Sequence, residues 1–249
     1  MSIKYDFDTP LDDPKTSLRH RDIIMSKPFL KRIYHDWYMN FVDEVKRNPK
    51  GKYLEIGSGG GFLKDLIPNV ITSDIMPLPT VDMHFSAEEL PFKDNELDGI
   101  FMVNVLHHIP HPYKFLKEAE RTMKSGGRII MVEPANTPLS GVIYRNFHHE
   151  AFDTKGEWEF DSSGPLSSSN QAIPYIYMLR DRKKFESEFP SLQIESIKIH
   201  SAFLYILSGG VSRKNLVPDW SYGFWKVAER FPGVNLLSGM FGTYIVSKR

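Results

Sequence analysis

The sequence predicts an α/β fold built on a mostly parallel sheet, because strand-like and helix-like segments alternate along the chain. From residue 51 onward, short apolar runs are separated by glycine-containing loops and helical segments. Strands are predicted near residues 52–56, 70–74, 81–84, 97–103 and 128–133. Connections from a strand through a helix to the next parallel strand almost always cross over right-handed. Repeated connections of this kind place helices on both faces of the sheet. Ligands then bind beyond the carboxyl ends of the strands.

Two helices are predicted with these strands. Ser26 is predicted as an N-cap, with Pro28 in the first turn of the helix that follows. Apolar residues then recur at the spacing of one helical face, which predicts packing against a core. They are Leu30, Ile33, Tyr34, Trp37, Tyr38, Phe41, Val42 and Val45. A second amphipathic helix is predicted from Tyr113 to Met123, ended by the glycines of residues 125–127.

The C-terminal half has fewer regular patterns. Residues 134–190 are rich in Pro, Ser, Asn and aromatic residues, which predicts a long functional loop. Strands are predicted at 193–199 and 244–247, with a helix starting at Pro218 between them. The aromatic residues of this helix predict packing on the sheet, and contact with a lipid surface is the alternative. They are Trp220, Tyr222, Phe224, Trp225 and Phe231.

The composition excludes several classes of function. The 249 residues carry 31 basic and 31 acidic side chains, so the basic character of a nucleic-acid-binding protein is missing. The chain has no cysteine, which excludes thiolate nucleophiles, disulfides, and thiolate zinc or iron–sulfur sites. The first residues contain no apolar signal-peptide core, and the apolar stretches near the C-terminus are too short to span a membrane. We therefore expect a cytoplasmic protein that does not act on nucleic acid.

A glycine-rich turn follows the first predicted strand. Glu55 precedes glycines at positions 57, 59, 60 and 61, and glycine lets a ligand approach backbone amides closely. The dinucleotide-binding fingerprint requires a glycine where this sequence has Phe62. The spacing fits the pattern E-x-G-x-G-x-G instead. Asp74 ends the second predicted strand, and its carboxylate offers two acceptor oxygens.

In these residues the sequence resembles the class I S-adenosylmethionine-dependent methyltransferases, in particular small-molecule enzymes such as those of quinone biosynthesis. The resemblance implies a Rossmann-like, doubly wound sheet of seven mostly parallel strands, with an antiparallel last strand and helices on both faces. It also implies S-adenosylmethionine as the cofactor. The implied cofactor-binding residues are Glu55, Gly57, Ser58, Gly59, Gly61, Asp74, Ser86, Ala87, Glu88 and Asn104.

Three later segments continue the resemblance. Residues 86–92 look like the family's D-A-x-x-L-P-F segment beside the adenine, with Ser86 in place of the usual Asp and Glu88 as a carboxylate that can compensate. The strand at 97–103 is followed by Asn104, which the resemblance places beside the methionine part of the cofactor. Residues 124–134 resemble the family's fifth strand and the glycine turn before it.

We predict one methyltransferase domain over residues 1–249. Residues 1–50 are predicted as a helical lid or packing segment, and residues 51–135 as the cofactor-binding half. Residues 136–192 are predicted as an insertion that caps the substrate. Residues 193–249 supply the C-terminal strands and helix.

Histidines cluster in two places. Three of them follow the fourth strand at positions 107, 108 and 111, and a His-His-Glu run occupies positions 148–150. A metal site on the first cluster needs an acidic ligand that the sequence does not place there, so no metal is predicted. The second cluster either orders the insertion or caps the substrate pocket. His108, His148 and His149 are the candidate catalytic residues, because neutral imidazole accepts protons near pH 7.

The predicted function is direct, in-line transfer of a methyl group from S-adenosylmethionine to a small-molecule or lipid-like acceptor. Two alternatives remain open from the sequence. One is an NAD-type oxidoreductase on the same fold, which the missing third glycine disfavours. The other is a non-catalytic cofactor-binding module. A peripheral contact with a membrane, without stable insertion, is compatible with a lipid-like acceptor.

Overall fold

One mixed sheet runs through residues 9–249, the part of the chain that this computed structural model describes. Its strands are β1 Tyr53–Glu55, β2 Ile71–Asp74, β3 Met83–His84, β4 Leu97–Val103, β5 Met123–Pro134, β6 Leu192–His200 and β7 Phe241–Lys248. In space they follow the order β3-β2-β1-β4-β5-β7-β6. β7 is antiparallel to both of its neighbours, and the other pairs are parallel. The predicted doubly wound, mostly parallel seven-stranded sheet with an antiparallel last strand is confirmed.

Helices precede the sheet, connect its strands and follow β6. They are α1 Pro14–Ser26, α2 Pro28–Arg47, α3 Pro112–Thr122, α4 Pro138–Phe147, α5 Ile173–Tyr175, α6 Arg182–Glu188, α7 Leu204–Ser208, α8 Tyr222–Ala228 and α9 Val234–Ser238. A π-helical turn, Ile176–Arg180, continues α5. Short 3-10 turns cover Leu63–Asp65, Leu106–His108 and Asp219–Ser221. Among the helices of residues 9–249, none is both long and apolar enough to cross a membrane.

The predicted apolar face of α2 packs against the sheet. Phe41 stacks on Phe101 of β4 with ring centroids 4.7 Å apart, and Trp37 lies 4.7 Å from Phe241 of β7. Both α2 rings are almost fully buried. Burying large aromatic side chains is a major source of folding free energy, so α2 is an integral layer of the core.

Within the N-terminal segment that is predicted as helical, residues 14–26 form α1 ahead of α2. The apolar pattern of α1 is weak, but Asp13 accepts a hydrogen bond from the backbone N–H of Lys15, and Pro14 occupies the first turn. An N-cap followed by proline is the sequence signal that locates this helix. The predicted N-cap role of Ser26 is wrong, since Ser26 ends α1 and Lys27 precedes α2. The part of the predicted N-terminal segment before residue 9 lies outside the described residues.

The glycines of residues 125–127 do not end α3. That helix stops at Thr122, and β5 begins at Met123. The pairing of β4 with β5 shifts between Leu97–Met123 and Gly99–Arg128, which inserts extra residues on the β5 side. Gly126 has a φ of 82° and supplies the left-handed conformation that this irregularity needs.

The segment predicted as a long loop contains regular structure. Thr137 and Ser140 form a capping box that starts α4, and residues 173–188 are largely helical. A capping box of this kind is a recognised helix-start signal, but its usual form has Glu or Gln at the third position. With Ser at that position, the pattern was not identified from the sequence.

The predicted C-terminal strands are confirmed as β6 and β7, whereas the predicted helix packs differently. Trp220, Phe224 and Phe231 are each at least 66% exposed. Tyr222 is buried and contacts Phe29 of α2, with ring centroids 5.1 Å apart. Packing of the whole aromatic set on the sheet is therefore wrong, because only one side of this short helix faces the protein.

Lys27 joins the N-terminal helices to the segment after α7. Its ammonium donates hydrogen bonds to the carbonyl oxygens of Ser208, Gly210 and Arg213 at 2.6, 2.5 and 2.6 Å. An ammonium has three donors and all three are used here. The contact fixes residues 208–213 against the start of α2.

Replacing Lys27 with Met should lower the free energy of unfolding by about 2–3 kcal/mol, because it leaves buried carbonyl groups without donors. Lys46→Met is the matched control, since Lys46 pairs with the exposed Asp43 and this variant should change the free energy of unfolding by less than about 0.5 kcal/mol. Urea unfolding curves of both variants measure the difference. Equal midpoints for the two variants would show that the contact does not stabilise the fold.

Candidate active site

A cavity of about 1160 Å³ opens at the carboxyl ends of the parallel strands. The glycine-rich turn after β1 and the end of β2 line one part of it. The loop after β4, the end of α4 and residues 148–150 line another part. Side chains of α1 and of residues 205–216 complete the wall. Its place is the usual ligand site of a doubly wound sheet, and its volume exceeds what one small ligand requires.

The glycine-rich turn has two left-handed residues. Gly57 has a φ of 65° and Gly59 a φ of 43°, and in this region L side chains are strained. A Cβ on Gly57 would lie 2.4 Å from Val105, and one on Gly61 would lie 2.4 Å from the Tyr38 hydroxyl. At Gly59 the nearest heavy atom is 3.7 Å away. Protein packing therefore explains Gly57 and Gly61, whereas Gly59 leaves space beside the cavity.

Asp74 and Glu55 carry the negative charge of this part of the cavity. Asp74 accepts one backbone hydrogen bond on each carboxylate oxygen, from Gly59 at 3.0 Å and from Met76 at 2.8 Å. Glu55 is buried and accepts a 2.7 Å hydrogen bond from the Ser58 hydroxyl. Burial raises the pKa of Asp74, and it raises the pKa of Glu55 to about 7 although the Ser58 hydrogen bond acts in the opposite direction.

The other predicted cofactor residues line the same cavity. Asn104 has a φ of 58°, and among the described residues its buried Oδ1 finds no hydrogen-bond partner. Ser86 accepts a hydrogen bond from the backbone N–H of Glu88 at 3.2 Å. The Glu88 carboxylate accepts one from the backbone N–H of His111 at 3.2 Å, so part of its capacity is already used within the protein. Ala87 is buried between these two polar residues.

Glu133, at the end of β5, holds the loop that follows β4. Its Oε1 accepts hydrogen bonds from the backbone N–H groups of Val105 and Leu106, both at 2.8 Å. Its Oε2 accepts one from His107 Nδ1 at 2.6 Å. The carboxylate is fully buried, and these charge-assisted bonds offset its desolvation. The sequence places Glu133 in a strand motif but gives no sign of this role.

Glu150 lies among four histidines. Its carboxylate oxygens are 3.5 Å from His107 Nε2, 3.7 Å from His108 Nε2 and 3.6 Å from His149 Nε2. Gln171, which is 1% exposed, donates a 2.8 Å hydrogen bond to Glu150 Oε2. The two histidine clusters of the sequence therefore meet at one carboxylate.

The charges in this cluster divide the histidines into two kinds. Burial opposes protonation of His107, but the charges of Glu133 and Glu150 outweigh it and raise the pKa to about 9. Burial and the positive charge of His107 lower the pKa of His108 to about 4. Burial also lowers the pKa of His148. At neutral pH, His107 is consequently an imidazolium, and His108 is a neutral imidazole.

The three predicted catalytic histidines are not equivalent. His108 Nδ1 lies 3.2 Å from the carbonyl oxygen of Ser168, which can only accept, so Nδ1 carries the hydrogen and the Nε2 lone pair is free. His148 Nδ1 accepts a 2.6 Å hydrogen bond from Gln171, so the lone pair of the neutral ring is already used. The His149 side chain is 60% exposed. Among these three, only His108 therefore presents a buried, free lone pair.

Residues 54–131 match a family model described as a methyltransferase domain. The order of the motifs, the sheet order and the glycine-rich turn with Asp74 at the next strand end agree with this match. The resemblance to the class I S-adenosylmethionine-dependent methyltransferases is thus confirmed for residues 54–131. S-adenosylmethionine is the cofactor of this family, and the NAD-type alternative is set aside.

Several proteins are similar to this chain over part of their own length. An uncharacterized protein of Methanocaldococcus jannaschii is 34% identical over 103 residues, 38% of this chain and 50% of that protein. A demethylmenaquinone methyltransferase of Symbiobacterium thermophilum is 26% identical over 178 residues, 70% of this chain and 69% of that protein. A ubiquinone/menaquinone biosynthesis C-methyltransferase of Brucella canis is 29% identical over 142 residues, 55% of this chain and 45% of that protein. The chain thus spans about half the length of two of these three relatives.

Two solved structures share the fold of this chain. One is an S-adenosylmethionine-dependent methyltransferase of Thermotoga maritima, described as a possible histamine N-methyltransferase. It is 17% identical with a TM-score of 0.55, and the match covers 95% of this chain and 100% of that chain. The other is a geranyl diphosphate C-methyltransferase of Streptomyces coelicolor, solved with Mg²⁺, geranyl diphosphate and S-adenosylhomocysteine. It is 11% identical with a TM-score of 0.53, and the match covers 97% of this chain and 89% of that chain.

Glu133→Gln should lower the free energy of unfolding by about 3 kcal/mol, because the neutral amide loses the charge-assisted bonds and its NH₂ group leaves at least one buried donor unpaired. Glu89→Gln is the control, since Glu89 is exposed. A double-mutant cycle with His107→Gln should give a coupling energy above about 1 kcal/mol. Additive effects in that cycle would contradict the proposed link between Glu133 and His107.

Glu55 makes the ligand-free protein less stable as the pH rises. Its folded pKa of about 7 lies above the ordinary 4.5, so ionisation costs stability from about pH 4.5 to pH 7, and the loss stays constant above pH 7. A tenfold change in an ionisation constant corresponds to about 1.4 kcal/mol. The free energy of unfolding of Glu55→Gln, relative to that of wild type, should therefore rise by on the order of 1–3 kcal/mol from pH 5 to pH 8. Urea unfolding at both pH values measures it, with Glu89→Gln as control. A difference independent of pH would show that Glu55 ionises normally.

Proposed function

We propose that this protein transfers a methyl group from S-adenosylmethionine to a small-molecule or lipid-like acceptor. One observation carries the proposal: the glycine-rich turn with Asp74 and the histidine cluster around Glu150 line the same cavity. Its volume has room for two ligands side by side. A transferase of this kind requires cofactor and acceptor to meet in one water-excluding space.

The residues at the ends of β1, β2 and β4 fit the cofactor. Asp74 uses one lone pair on each oxygen for backbone amides and retains others for the two ribose hydroxyls. The unpaired Oδ1 of Asn104 can accept a hydrogen bond from the amino group of the methionine part. Glu55 supplies negative charge on the same side of the cavity, which stabilises a cationic ligand.

Helix α1 closes this part of the cavity. A Cβ on Gly60 would lie 2.7 Å from the backbone nitrogen of Arg21, and the Arg21 guanidinium donates a hydrogen bond to the carbonyl oxygen of Gly61. Ser17 and His20 of the same helix line the cavity. We infer that residues 1–50, described from residue 9 onward, act as the predicted lid or packing segment.

The acceptor is proposed to lie on the other side of the cavity, beside His108 and Glu150. When bound, the cofactor supplies a methyl group activated by a positively charged sulfur. The protein then has to align the acceptor and exclude water. His108 is neutral but weakly basic because of its lowered pKa, so it orients an acceptor more readily than it removes a proton. Residues 136–192 supply Glu150, which supports the proposal that this segment caps the substrate.

Apolar side chains near this cavity favour a partly apolar acceptor. Ile143, Tyr144 and Phe147 line it from α4, and Phe147 is 75% exposed at the rim. The Symbiobacterium and Brucella relatives are named for quinone biosynthesis, which involves lipid-like acceptors, and this supports the same class here. A peripheral membrane contact and a cytoplasmic location belong to the same proposal.

Calorimetric titration with S-adenosylmethionine tests the cofactor half of the proposal. Wild type should bind one equivalent, and Asp74→Ala and Gly59→Val should each weaken binding at least about tenfold, the first by removing charge-assisted hydrogen bonds and the second by filling the space beside the turn. Asp65→Ala is the control, because Asp65 is exposed and outside the cavity lining. Thermal unfolding confirms that each variant is folded.

Methyl transfer itself is tested with methyl-labelled cofactor and two acceptor pools, an organic-phase lipid extract and an aqueous small-molecule extract. Label should move into one pool with wild type and remain in the cofactor with Gly59→Val. Failure of wild type to bind the cofactor, or binding without transfer into either pool, would contradict the proposal. The second result would favour the non-catalytic binding module.

A further inference from the structure

Three ligand atoms converge at the acceptor side of the cavity. His107, His108 and Glu150 each offer one atom, and these atoms all lie within 4.8 Å of one another. The sequence gives no warning of this arrangement, because Glu150 is more than forty positions away from the two histidines. All three residues line the cavity, so a ligand held between them reaches the space assigned to the acceptor.

The two histidine–Glu150 distances are those of ligands around a common ion. His107 Nε2 lies 3.5 Å from Glu150 Oε2, and His108 Nε2 lies 3.7 Å from Glu150 Oε1. Neither is a good hydrogen bond, which has a nitrogen–oxygen distance of about 2.7–3.2 Å. Two ligands that each lie about 2.1 Å from a tetrahedral ion are separated by about 3.4 Å. Each imidazole is thus spaced from Glu150 as two ligands of one ion are.

The outer contacts orient both imidazoles as metal ligands require. His107 donates its Nδ1–H to the carboxylate of Glu133 at 2.6 Å, and His108 donates its Nδ1–H to the carbonyl oxygen of Ser168 at 3.2 Å. Each contact turns the ring so that Nε2 points toward Glu150. Histidine ligands in metalloproteins usually have such a carboxylate or carbonyl partner on the second nitrogen.

The carboxylate ligand is held in the same way. Gln171 is almost fully buried and donates a 2.8 Å hydrogen bond to Glu150 Oε2, while Oε1 faces His108. Glu133 and Glu150 form ion pairs with histidine side chains. Two carboxylates among imidazoles give the site negative charge, which a divalent cation neutralises.

We propose that His107, His108 and Glu150 bind one divalent transition-metal ion of the zinc type, with an open coordination position toward the cavity. Two imidazoles and one carboxylate form a donor set that Zn²⁺ and its neighbours bind, and the absence of cysteine leaves harder ligands only.

This inference rests on the proposed function and specifies its acceptor as a compound with an ionisable oxygen, such as a phenol or enol. That oxygen binds at the open position and loses its proton to water, because a metal ion lowers the pKa of a bound hydroxyl. An electron pair of the oxygen, or of the carbon conjugated with it, forms the new bond to the methyl carbon. Where the ring carbon of a phenol is methylated, the hydrogen on that carbon then leaves as a proton to water. The carbon–sulfur bond breaks, its electron pair stays on sulfur, and S-adenosylhomocysteine leaves as a neutral thioether.

Titration with Co²⁺ tests the site in full-length protein that carries no polyhistidine tag and has been treated with a chelator. Wild type should bind one equivalent with the visible absorption of low-coordinate cobalt, and Zn²⁺ should abolish this absorption by displacement. Glu150→Gln and His108→Gln should each weaken Co²⁺ binding more than about tenfold. His111→Gln is the matched control, because His111 follows in the same loop but pairs with Glu159, so its variant should bind Co²⁺ as wild type does.

Two further measurements on the same samples separate the outcomes. Thermal unfolding shows whether a variant is folded, and calorimetry with S-adenosylmethionine shows whether the cofactor half of the cavity is intact. Cofactor binding without any Co²⁺ binding in wild type would overturn the metal site and leave the proposed function standing. Co²⁺ binding that Glu150→Gln and His108→Gln leave unchanged would also overturn it. Specific Co²⁺ binding without cofactor binding would support the metal site and count against the proposed function.

Discussion

The buried carboxylate of Glu133 is the interaction on which both halves of the cavity depend. It joins the end of β5 to the loop after β4 through two backbone amides and one imidazole. Val105, one of the residues held this way, packs where a side chain on Gly57 would have to lie. The Glu133 carboxylate therefore fixes Val105, which packs against the glycine-rich turn, and the orientation of the His107 ring. A group that is costly to bury is kept because it organises two neighbouring sites at once.

The topology explains why those sites meet. Parallel strands end at the same edge of the sheet, so residues that follow β1, β2, β4 and β5 come together although they are far apart in the chain. The chain before and after this region then closes the cavity from two sides. Helix α1 contacts the glycine-rich turn, and Lys27 holds residues 208–213 beside it.

That the predicted cofactor-binding residues line one cavity could be predicted from the sequence, because they follow the ends of neighbouring strands. The glycine-rich turn, Asp74 and Asn104 each follow a strand, and the carboxyl ends of parallel strands meet at one edge of the sheet whatever side chains they carry. The centre of the histidine cluster could not be predicted in this way. Glu150 reaches His107 and His108 only through the path of α4 and the segment after it, and that path depends on packing rather than periodicity. Helix α1 was missed for a related reason, since its position is set by contact with the glycine-rich turn more than by an apolar stripe.

The order of the last strands has a consequence for how the sheet assembles. β6 precedes β7 in the chain, yet β7 lies between β5 and β6 and is the neighbour to which β6 is paired. β6 can therefore join the sheet only after β7 has paired with β5. Until then β5 presents an open, strongly apolar edge. Long-range pairing of this kind is slow and exposes strand edges to other chains. Newly made chains should accordingly be most prone to associate wrongly just before β7 docks.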